Sequence, residues 1–134
     1  MSSLRRQKLL LEFDGGRITS DAGALLLREA DRRLKLVRRI SACIPDPRDP
    51  DLIEHHQRTL LSQRVMGIAC GWEDLNDHQT LRDDPLWQIL TNRGVDAQKP
   101  LASPSTLCRL ENRVSRKTCA RLSSLMVDLG RVNK

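Results

Sequence analysis

The sequence predicts a mainly α-helical fold, and three observations carry that prediction. Apolar residues, Leu above all, recur at three- and four-residue spacing over most of the 134 positions. Proline and glycine fall in groups that cut this pattern into helix-length pieces. Strand-like character is confined to one stretch near the N-terminus, where a short β-hairpin or strand is expected within residues 8–19.

The elements follow in order. The run KLLLEFD at positions 8–14 is apolar and meets Gly15-Gly16, which suits a turn, after which residues 17–19 return as a second short strand. Thr19 or Ser20 then caps a helix by accepting from its free first-turn amides, with Asp21 placed where the helix dipole favours negative charge. Ala22, Leu25, Leu26, Ala30 and Leu34 are expected to form its buried stripe. Glu29 and Arg33 make an i,i+4 pair in the favourable order. A second short helix is expected over residues 36–44, ended by Pro45, Pro47 and Pro50, which lack amide donors and restrict their predecessors.

A third helix over residues 52–70 should bury Ile53, Leu60, Leu61, Val65 and Ile68 and stop at Gly71. Residues 72–84 read as a polar, acidic connector, residues 85–90 as a short helix opened by Pro85, and residues 92–100 as a loop. One last helix is expected from Ser103 or Pro104 to Leu129. At about 100° per residue, its Leu107, Leu110, Val114, Thr118, Leu122, Leu125 and Leu129 share one side. Arg109, Arg113 and Arg116 group on the opposite side with Lys117 beside them, and Glu111 sits at the edge of the apolar stripe without an evident role.

Charge separates along the chain. Residues 1–44 hold ten Lys/Arg against five Asp/Glu, residues 45–84 four against nine, and residues 103–134 seven against two. Basic ends around an acidic middle, with a net charge of +6, suit a polyanionic partner such as nucleic acid, although solvated arginine explains charge alone equally well. With Phe13, Trp72 and Trp87 as the whole aromatic set, base stacking on rings is a poor expectation, which argues against a single-strand binder.

Three other chemistries find little support in the residues. Glu73, Asp74, Asp77, His78, Asp83 and Asp84 offer carboxylates to a metal, but short acceptors at these positions suit turns and helix caps better. Cys43, Cys70, Cys108 and Cys119 with His55, His56 and His78 match no zinc-module spacing, and Cys70 and Cys119 read as small core residues. No cysteine is marked as an activated nucleophile, and Gly15-Gly16 is a turn rather than a phosphate cradle. No export signal or membrane-length apolar run is present, so a cytoplasmic setting with reduced thiols is expected.

Three stretches carry a resemblance: TSDAGALLL at 19–27, GIACGWEDLNDHQTLRDDP at 67–85 and SPSTLCRLENR at 103–113. In order and spacing they resemble the N-terminal region of the bacterial insertion-sequence transposases of DDE domain group 1. Two positions depart from the pattern: Trp72 stands where Tyr is usual, and Pro104-Ser105 where Gln-Pro is usual. The resemblance implies a transposase acting in DNA transposition, whose catalytic carboxylates lie on an RNase H-like fold and hold divalent metal, Mg²⁺, for strand cleavage and transfer. The first catalytic Asp is expected on a strand after the helix ending near Leu129, so no catalytic residue maps onto residues 1–134.

The expectation is therefore a single N-terminal helical region, basic over 1–44, acidic over 45–84 and basic again over 103–134, truncated before an absent RNase H-like core, either as a truncated or degenerate product or as an excerpt of a longer polypeptide. Such a chain has no metal site or cofactor of its own and is inactive alone. Its expected partners are double-stranded DNA at transposon ends and a second copy in a homo-oligomer, with neither membrane nor small-molecule substrate. Phosphate contacts are assigned to Arg109, Arg113, Arg116 and Lys117, with Arg5, Arg6 and Lys8 as secondary candidates. The competing expectation is a helical interaction or dimerisation module that packs on a catalytic domain without touching DNA.

Overall fold

A computed structural model describes residues 23–92 and 99–132. The expected hairpin, the Thr19/Ser20 cap, Asp21 and Ala22 all lie outside the described residues, and no strand occurs within them. The architecture is a helical bundle in the order α1 (Ala24–Leu34), α2 (Leu36–Cys43), α3 (Gln57–Ala69), α4 (His78–Leu81), α5 (Pro85–Leu90), α6 (Pro104–Asn112) and α7 (Arg116–Val132), with a 3-10 turn at Leu75–Asp77.

α3 is the central element, packed against α1, α2, α5 and α6. On one side Leu60 and Leu61 join Val37, Ile40, Ile44, Ala102, Leu107 and Leu110. On the other Met66 joins Ala24, Leu81, Leu86, Trp87, Leu90 and Leu101. A helix enclosed on several sides has no single apolar stripe, so polar residues enter its buried surface: Gln57, Ser62 and Gln63 are all buried. Each takes a partner, as most buried polar groups do, although Gln57 Oε1 finds none among the described residues. The Gln63 side chain accepts from Ala102 N at 3.1 Å and donates to Ala102 O at 3.0 Å. Ser62 Oγ donates to Leu90 O, and Gln57 Nε2 donates to Ile44 O at 2.9 Å, closing the end of α2.

Several sequence expectations are corrected here. In α1 Leu25 packs inward as expected, with Ala24, Leu27, Arg28 and Asp31, while Leu26 is 77% and Leu34 42% exposed and Ala30 is also exposed. The inner stripe tolerates two charged residues because each is provided for: Arg28 donates to Asn92 Oδ1 at 2.7 Å, and Asp31 Oδ1 accepts from Val37 N at 2.8 Å. α3 begins at Gln57, not at Leu52, because the chain after Pro50 is spent in a turn where Asp49 accepts from Asp51 N and Leu52 N. Consequently Leu52 is 84% exposed, and Ile68, on the outer side of α3, is 51% exposed. Cys119 is also exposed, whereas Cys70 is partly buried against the Trp87 cluster.

Other elements stand where expected. The Glu29–Arg33 pair forms at 3.3 Å. Gly71 ends the α3 region with φ of 90°, a left-handed geometry that glycine adopts without strain. α5 spans Pro85–Leu90, opened by Asp84, whose carboxylate accepts from Leu86 N at 2.8 Å. α1 and α2 meet at Lys35 alone, which is left-handed at φ 55°.

Candidate nucleic-acid interface

The expected last helix is two helices, and the break changes where its cations stand. α6 closes after Asn112 with Arg113 N and Val114 N bonding back to Leu110 O and Glu111 O. Ser115 then starts α7: its Oγ accepts from Thr118 N at 3.2 Å and its carbonyl from Cys119 N at 2.9 Å. The apolar residues still turn inward on both sides of the break. Leu107, Leu110 and Thr118 are buried, and Val114, Leu122, Leu125 and Leu129 are partly so.

The four cations assigned to this region divide. Arg109, Arg116 and Lys117 are exposed, and none forms an ion pair with a described residue. Arg113 is instead drawn inward, its Nη1 2.7 Å from Asp46 Oδ1, with only 21% of its side chain exposed. Asp46 also binds Arg48 at 2.7 Å, and Arg48 Nη1 donates to His55 O. Hydrogen bonds from Arg48, with Arg113 in support, hold the Asp46 carboxyl well below the usual carboxylate range, so this cluster stays ionised and clamps the proline-rich link to the α6–α7 break. Arg5, Arg6 and Lys8 lie outside the described residues.

Glu111 finds its role in this geometry: its carboxylate lies 2.6 Å from Arg64 Nε, tying α6 to α3. A further exposed set had gone unremarked at the sequence level, namely Lys35, Arg38 and Arg39 at α2 with Arg58 at the start of α3. The dense run of basic residues at positions 32–39 was the available signal.

The acidic middle does not gather into a metal centre. Asp74 accepts from Asn76 N and Asp84 from Leu86 N, each opening a helical turn. Among the described residues no three His, Cys, Asp or Glu side chains converge as metal ligands.

The sequence profile of transposase DDE domain group 1 matches residues 1–132. The chain belongs to this transposase family. Membership of DDE domain group 1 gives the chain a transposase-related role in a family that acts on DNA. No curated protein and no solved structure matches the chain. No described helix is long and apolar enough to cross a membrane.

Proposed function

We propose that this chain is the DNA-contacting N-terminal region of a DDE transposase, holding transposon-end duplex through cations at the α6–α7 break and supplying no catalytic carboxylate. The observation that carries the reading is the exposure of Arg109, Arg116 and Lys117 around that break without ion-pair partners among the described residues, within a family that acts on DNA. Guanidinium groups there donate to phosphate oxygens in pairs, and the ammonium adds a point charge. Arg113 enters only as a support, since Asp46 already holds it.

The three or so phosphates that these cations neutralise contribute roughly −3 to the slope of log K against log salt for duplex DNA. Replacing Arg109→Glu, Arg116→Glu and Lys117→Glu together is expected to lower duplex affinity about tenfold or more at low salt and to flatten that slope, with helicity by circular dichroism unchanged. Unchanged duplex affinity in a folded variant would sink the assignment. The alternative, an interaction module of a homo-oligomer or a catalytic domain, draws on Met126 and Val127, which leave α7 47% and 54% exposed. Concentration-dependent association without any duplex affinity supports that reading.

A further inference from the structure

α2 directs Val37 and Ile40 into the core, which leaves Arg38, Ala42 and Arg39 on its outer side. The small Ala42 between the two arginines keeps that face open to an approaching surface. Lys35, exposed at the left-handed link, extends the row toward α1. Arg58 is exposed in the first turn of α3, and Arg38 and Arg58 line one open depression of about 710 Å³ together with Ser41, Thr59 and Ser62.

The carboxylates bordering this depression are Asp31 and Asp46. Asp46 is neutralised by Arg48 and Arg113, while Asp31 accepts from Val37 N and keeps its charge, so four cations face one unpaired carboxylate. Lys35, Arg38, Arg39 and Arg58 form no ion pair with any described residue. Four unneutralised cations on adjoining helices raise the local positive potential, and three of the four carry the planar fork that matches a phosphate. The partly exposed Ser41 and Thr59 hydroxyls add neutral donors to the same anion, while the Ser62 hydroxyl is taken by Leu90 O.

We propose that this α2–α3 face is a second contact surface for duplex DNA, gripping backbone phosphates through Lys35, Arg38, Arg39 and Arg58. The proposal rests on the reading that the chain binds DNA. Because phosphates position a duplex without reporting its sequence, this face adds affinity equally for any sequence. Its contribution is separable from that of Arg109, Arg116 and Lys117.

The test measures full-chain binding to a labelled duplex by fluorescence anisotropy across a salt series. The variant Lys35→Gln, Arg38→Gln, Arg39→Gln, Arg58→Gln is expected to bind about tenfold or more weakly, with a salt slope shallower by about 3. The loss should be the same for unrelated duplex sequences. Arg38→Lys, Arg39→Lys, Arg58→Lys, which keeps the charge, is expected to keep most of the slope. In the wild-type chain, bound duplex should shield Arg38, Arg39 and Arg58 from phenylglyoxal, read by peptide mass, so the proposal does not hang on the variants folding. Wild-type affinity and slope in the folded glutamine variant, or arginines left fully reactive under saturating duplex, would overturn it while leaving DNA binding intact. A polyglutamate chain that binds this face as tightly as duplex does, at equal salt, would also overturn it in favour of an acidic protein partner. Absence of duplex binding by the wild-type chain brings down the parent reading and this one together.

Discussion

His78 is wholly enclosed, its ring edge-on to Trp87 with 6.2 Å between centres and its Nδ1 3.4 Å from Gln63 Nε2. That contact makes Nδ1 the acceptor and puts the ring proton on Nε2, which packs against Gly67 and has no hydrogen-bond partner among the described residues. A Cβ at position 67 would lie 2.8 and 2.9 Å from two atoms of that ring. Gly67→Ala gains up to about 1 kcal/mol of helix propensity. The overlap costs about 1–3 kcal/mol in a packed core, and the clash wins. A lowered melting temperature is expected, and an unchanged or raised one would refute the packing argument. Burial, with the Arg64 charge second, pushes the His78 pKa below its ordinary 6.5, so the folded chain favours the neutral ring. The unfolded chain gains a proton as pH falls through 6.5, before the folded one does. Stability from this residue is therefore full above that pH and is lost as pH falls through the folded pKa. Urea unfolding at pH 7.5 and 5 should show a steeper decline for wild type than for His78→Asn, and parallel declines would exonerate the histidine. In the sequence His78 looked like one more polar residue of an acidic connector, because its enclosure depends on Gly67 and Trp87, nine or more positions away.

Most helix positions were legible, while the faces that turn inward and the contacts made by buried polar residues were only partly so. Pro85 behind the capping Asp84 fixed α5 by local chemistry alone, as the proline group fixed the end of α2. α3 resisted because its buried Gln63 serves an interaction that exists only after folding, with Ala102 brought alongside. Gln63→Leu leaves both backbone groups of Ala102 buried and unmatched, a loss of about 2–4 kcal/mol at the usual cost per orphaned group. Chemical denaturation should report that drop, and a loss under about 1 kcal/mol would mean that water replaces the amide. The division of the last predicted helix was equally hidden: the apolar spacing runs straight through residues 113–115, and the only local hint is Ser115 as a cap. That break decides which cations reach the surface, since it sends Arg113 to Asp46 and leaves Arg109 and Arg116 outside. Of the four cations that the sequence reading grouped on this side, three are exposed and one is held in an ion pair.

At the scale of the described fold, charge and core occupy different faces of the same helices, with basic faces at α2 and at the α6–α7 break around a core centred on α3. Sequence patterning established the class of fold, because apolar periodicity survives any arrangement of the helices. It could not establish which helix lies at the centre, which is a property of the packed assembly. α3 contributes Leu60 and Leu61 to one apolar cluster and Met66 to the other, so neither can loosen without disturbing the helix they share. The described region should accordingly melt as one cooperative unit. In hydrogen–deuterium exchange the amides of α3 are expected to be the slowest and to open only with global unfolding. A destabilising change at Leu86 should then accelerate exchange at Leu60 as much as at Met66, and acceleration confined to one end of α3 would show two independent halves. Such a helix acts as a shared axle: a load applied at α2 would be felt at the α6–α7 break.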